Sequence, residues 1–187
     1  MGELNAQDKE FLFQTVLQVG LAVMTASPSG VEGTFLETET MVEAPAQLAK
    51  NFPNSTLIQS ILEQNQGGEE EPEDGEEAAD EQGEADEDVV ADESDEEEEE
   101  PERPERPDQI LAEAVTMCRQ AAEILQAVDA DEALQYKNWV MACGAAVAEV
   151  SKEGGFLGFR KKLVTDDERD ALKQVAEALG VPMPQLP

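Results

Sequence analysis

Residues 8–26, DKEFLFQTVLQVGLAVMTA, decide the fold. Leu12, Val16, Val19 and Val23 recur at i, i+4, i+7 and i+11, the spacing of one helical face. Phe13, Leu17, Leu21 and Met24 cover a neighbouring face. An apolar surface that wide predicts a central, mostly buried helix. Pro28 and Gly30 are placed to stop it.

The same signature recurs further along the chain. A shift of 124 residues places Val16 on Val140, Gly20 on Gly144, Ala22 on Ala146 and Val23 on Val147. It continues with Ser27 on Ser151, Gly30 on Gly154, Phe35 on Phe159 and Leu48 on Leu172. Two readings stay open: an internal duplication, or coincidence among small apolar positions.

Five more helices follow from pattern. One covers about 37–51, with Met41, Leu48 and Phe52 inward and Pro45 near its start or at a kink. A short one ends near 65, capped by Asn54 or Ser55 and carrying Leu57, Ile58, Ile61 and Leu62. A clean stripe from Ile110 to Val128 follows an expected Asp108 cap. The helix over 132–152 carries Tyr136, Val140, Cys143, Val147 and Val150 on one face, with Trp139 beside it. A last helix opens on the capping box Thr165-Asp166-Asp167-Glu168, carries Leu172, Val175, Ala176 and Leu179, and ends at Gly180 and Pro182. The expected fold class is all-α: a bundle of five or six helices with a disordered acidic insertion.

That insertion is residues 66–107, with 23 Asp/Glu against Arg103 and Arg106. It carries −21 of the chain's −32 and cannot bury a core. The expected organisation is a first helical half at 1–65, an acidic linker at 66–107, and a second half at 108–187 packing on the first. The roughly 145 residues outside the linker suffice for one hydrophobic core. The run reads as a solubilising spacer, as a sink for basic partners, or as a loose divalent-cation binder. No stretch of it has calcium-loop spacing.

Composition excludes several functions. A surface this acidic does not suit a phosphate backbone or an anionic membrane, so neither nucleic acid nor membrane is an expected partner. The chain has no His, which removes His-ligated metals and His general bases. There is no nucleophile elbow, dinucleotide fingerprint or paired-carboxylate bundle motif. No catalytic residue, metal ligand or cofactor is expected. Cys118 and Cys143 lie in apolar helical patterns and read as reduced, buried thiols. No targeting segment is visible, so the expected compartment is the cytoplasm.

One local motif stands out, Glu153-Gly154-Gly155-Phe156-Leu157-Gly158-Phe159. Phe156, Leu157 and Phe159 demand burial, either by plugging the end of the bundle or by docking on a partner or a lipid chain. Arg160, Lys161 and Lys162 follow at once, making this the most basic stretch of the chain. These six residues are the expected contact surface for a partner. Their basic part is suited to an anionic partner or to the acidic run itself.

With Ala26, Pro28, Ser29, Gly30 and Gly33, then Glu153 through Phe159, Glu168, Leu172 and Gly180, the chain resembles a group of small bacterial helical proteins. Those carry a Pro-Ser-Gly loop and a Glu-Gly-Gly-Phe-Leu-Gly-Phe loop. The resemblance implies a helical bundle and no assigned activity. Arg160-Lys161 stands where that group has further glycines. More distantly, a Glu-Gly turn followed by Val-Thr-Asp-Asp-Glu is similar to TerB-like tellurite-resistance proteins, which are helical and internally duplicated. That likeness implies a stress-linked divalent-cation-binding role. In this chain Ser29 replaces the acidic residue before Gly30. The expected function is therefore a non-enzymatic cytoplasmic interaction or accessory protein with a basic protein partner. A cation-binding protein is the alternative and an enzyme the third reading. Oligomeric state is left open.

Overall fold

The structure is a computed structural model that describes residues 4–27, 30–66, 106–150 and 164–186. Among them are six α-helices and one 3₁₀ turn, with no strand. The helices are α1 (Ala6–Ala26), α2 (Gly30–Ala49), α3 (Thr56–Gln66), α4 (Pro107–Ile124), α5 (Ala130–Val150) and α6 (Asp166–Leu179). The 3₁₀ turn, Leu125–Ala127, closes α4. The expected all-α bundle is what forms. Its contacts group 1–68 with 105–187 in one compact unit.

α1 is the axis of the bundle and touches all five other helices. It begins two residues earlier than its periodicity suggests because Asn5 caps it. Asn5 Oδ1 accepts the Asp8 N–H at 2.8 Å, and Asp8 Oδ2 accepts the Asn5 N–H at 3.3 Å. Leu12, Val16, Val19 and Val23 are all buried, as the spacing requires.

α5 lies against α1 along its length. Tyr136 Oη donates to the Leu12 carbonyl at 2.8 Å. About two turns further on, a Cβ built on Gly144 would stand 3.0 Å from Val19 Cγ1. The two contacts advance together along both helices, so α1 and α5 run parallel, offset by the 124-residue register seen in the sequence. Gly144 is a close-approach residue: the same Cβ would also stand 3.0 Å from Leu172 Cδ2 on α6. Gly20, its register equivalent, faces α2, where a Cβ would meet Met41 Cγ at 2.6 Å. Each central helix thus spends a glycine on the helix that follows it.

The outer helices cross over. α2 packs most extensively on α5 rather than on α1, and α4 on α1. α3 sits on α1 and α5, and α6 on α4, α1 and α5. The main core therefore draws on both parts of the sequence, with Leu12, Ile58 and Ile61 meeting Trp139, Leu172 and Leu179.

Two further boundaries differ from expectation, each for a physical reason. α4 is capped by Arg106, not Asp108. Pro107 takes the first helical position, where its fixed φ is preorganised and its missing N–H costs nothing. Gln109 Oε1 accepts the Arg106 N–H at 3.2 Å, and Asp108 falls in the first turn. α2 starts at Gly30 rather than near 37 and carries Pro45 inside it. Tertiary packing outweighs the proline penalty there: Pro45 is buried, and Trp139 Nε1 of α5 donates to its carbonyl at 3.0 Å. α6 is as expected. Thr165 Oγ1 accepts the Glu168 N–H at 3.2 Å, Glu168 Oε2 accepts the Thr165 N–H at 2.6 Å, and Gly180 closes the helix at φ +69°.

Candidate functional site

The six expected contact residues, Phe156, Leu157, Phe159, Arg160, Lys161 and Lys162, lie outside the described residues. Their flanks do not. α5 ends at Val150, and beyond the segment Val164 is fully buried just before the Thr165 cap. Pro28 and Ser29 also lie outside.

Among the described residues the most exposed large hydrophobic side chains are on α2. Phe35 is 70 % exposed and Val42 63 %. Seven residues apart, they lie two turns along one face, and exposed Ala46 extends the stripe. Glu39 and Glu43 stand beside it, also exposed, with Gln47 Nε2 donating to Glu43 at 2.7 Å. α2 has no Lys or Arg, so this face is apolar with an acidic edge.

The opposite side of α2 holds a buried acid. Glu37 is 1 % exposed, on the same side as Met41 and Ala44. A carboxylate is rarely buried unless it is paired. A helix beginning at 37 hides this residue at its margin. A helix beginning at 30 places Glu37, Met41, Ala44 and Leu48 in one i, i+4, i+7, i+11 row, the signal by which it could have been found. The same shift of boundary brings Phe35 and Val42 onto one face.

A second acid works across the bundle. Glu132, in the first turn of α5, reaches the N-terminus of α3. Its Oε2 accepts from Ser55 Oγ at 2.6 Å and from the Leu57 N–H at 3.2 Å. Its Oε1 accepts from the Thr56 N–H and Thr56 Oγ1, both at 2.9 Å. Ser55 Oγ in turn accepts the Ile58 N–H at 3.2 Å, the cap expected from sequence. Partial burial pushes the Glu132 carboxyl up, but these four hydrogen bonds outweigh it and hold it below the usual glutamate range. Glu132 acts as a brace between α5 and α3.

The thiols are enclosed. Cys118 and Cys143 are buried and unpaired, and burial pushes each up to about 12. Burial therefore disfavours the thiolate of either at neutral pH. Tyr136 is driven well above its usual range by its own burial, with the Cys118 thiol adding, while a bond with Thr15 opposes. Its ring meets that of Trp139 edge-on at 6.0 Å. This group is a core with its polar atoms satisfied.

An open groove of about 510 Å³ lies where the end of α4, the start of α5 and the end of α6 meet. Among the described residues no three His, Cys, Asp or Glu lie close enough to hold a metal. No described helix is long and apolar enough to cross a membrane. Compared with protein-family models, with curated proteins and with solved structures, the chain has no match.

Proposed function

We propose that the protein is a non-enzymatic cytoplasmic interaction protein that docks a basic partner on the outward face of α2. The observation that carries this is the pairing of Phe35 and Val42, 70 % and 63 % exposed, on one face of a helix whose other side is anchored on α5. Single exposed hydrophobics are ordinary, but a stripe of them on one element suits a partner. Covering both side chains gains about 3–5 kcal/mol.

Charge selects the partner. Glu39 and Glu43 edge the stripe, and the chain carries −32. The complement is an apolar anchor ringed by Lys or Arg, drawn in by the long-range field. The two unpaired cysteines suit a reducing compartment. Phe156, Leu157 and Phe159, with Arg160, Lys161 and Lys162, remain a second proposed contact, offering apolar anchors beside a basic flank.

The test compares wild type with the double variant Phe35→Ser/Val42→Ser. A partner is captured and identified with the wild type, then purified, and its Kd is measured by calorimetry at two salt concentrations. The proposal expects a loss of about 100-fold for the double variant, and weaker wild-type binding at high salt. Equal affinity for both proteins, or affinity indifferent to salt, contradicts it.

A further inference from the structure

The groove between α4, α5 and α6 is used by nothing described so far. Its volume, about 510 Å³, lies within the range of small-molecule pockets, about 300–1,000 Å³. On α5 it takes positions 130, 133, 134 and 137, whose i, i+3, i+4, i+7 spacing is one helical face. Leu125 and Val128 close it from the α4 side and Val181 from the α6 side. Ala122, Ala130, Ala133 and Gly180 make the rest of the wall small, apart from the amide side chain of Gln126.

Two details point to a ligand. Leu134 remains 48 % exposed at the groove, so apolar surface there is left for something to cover. Among the described residues Lys137 is the sole ionisable side chain of the lining, in a chain with 44 acids against 12 bases. Among the described residues no hydrogen bond or ion pair engages its ammonium. Half-buried Lys137 offers one positive charge to a groove lined mostly by aliphatic side chains.

We infer that this groove binds a small amphipathic monocarboxylate, with the carboxylate at Lys137 and an alkyl chain along Leu125, Val128, Leu134 and Val181. A single cation matches a single anionic head. The chain's −32 repels polyanions such as nucleotides. Among the described residues the lining has no aromatic ring to stack on a planar base, so an aliphatic body is the better fit. The site is separate from the α2 face and does not depend on it.

Decanoate, kept below its micellar concentration, is the probe. Calorimetry on the full chain reads the affinity, and methyl NMR of Leu134 and Val181 reads the location. One saturable site is expected, with shifts at both methyls. Lys137→Gln weakens binding at least about tenfold, while Lys137→Arg retains most of it. Ala133→Phe, which fills the groove, removes binding; should that variant fail to fold, the Lys137 pair decides alone. Phe35→Ser/Val42→Ser binds decanoate like the wild type, which separates this site from the partner surface. Binding that does not saturate, that is unmoved by Lys137→Gln, or whose shifts fall elsewhere overturns the inference.

Discussion

Replacing Glu132 by alanine cuts the brace between α5 and α3. The side chain accepts four hydrogen bonds, from Ser55 Oγ, the Thr56 and Leu57 amides and Thr56 Oγ1, at 2.6–3.2 Å. Hydrogen bonds to a charged group contribute about 1.5–3 kcal/mol each, but bonds sharing one carboxylate do not add. Loss of an anion from the N-terminus of α3 removes about a further 0.3–1 kcal/mol. Water reaches this site and replaces part of what is lost. A net cost of about 2–3 kcal/mol follows, or about 5–10 °C in Tm for an ordered part of this size. The pH dependence carries the sharper test. The folded carboxyl sits below its usual range, so its contribution is complete above the unfolded value of about 4.3 and fades as pH falls through the lower folded value. Thermal unfolding of wild type and Glu132→Ala should therefore differ at pH 7 and converge as pH drops through the range below 4.3. A Tm change under about 1 °C at pH 7, or a gap just as wide in acid, refutes the reasoning.

Trp139→Phe removes the indole N–H that donates to the buried Pro45 carbonyl, together with the part of the buried ring that a phenyl cannot replace, and should cost about 1–3 kcal/mol, read by urea unfolding. Cys118 and Cys143 should resist a thiol reagent in the folded protein at pH 8 and react fully in denaturant, since burial pushes both up to about 12. Replacing residues 69–104 by Gly/Ser of equal length should preserve cooperative unfolding and the near-UV spectrum, because the described residues outside this stretch already assemble the core.

Much of this fold is legible in local pattern. Cys118, Ala121 and Leu125 are buried where the α4 stripe puts them, and Thr165 and Glu168 close the box their spacing announces. What escapes the sequence is decided over long range. Pro45 argues for a boundary, yet the helix runs through it because Trp139, 94 residues away, packs there. That error hid Glu37 as a core residue and Phe35 and Val42 as one surface stripe. Glu132 reads as an ordinary first-turn acid. Only the approach of α3, whose bonded residues lie 75–77 positions away, makes it a cap for another helix. The groove is likewise built from the ends of three helices, and no single stretch of chain announces it.

One core is assembled around the parallel α1–α5 pair, and neither part of the sequence suffices alone. Trp139, the chain's only tryptophan, is fully buried, and its indole donor is on α5 while its acceptor, Pro45, is on α2. The direct measurement is the emission maximum of Trp139 in a fragment of residues 106–187, alone and after addition of a fragment of residues 1–67. The 106–187 fragment alone should show solvent-exposed, red-shifted emission, which shifts to the full chain's blue maximum at equimolar mixing. Native, blue emission from the 106–187 fragment by itself would contradict it.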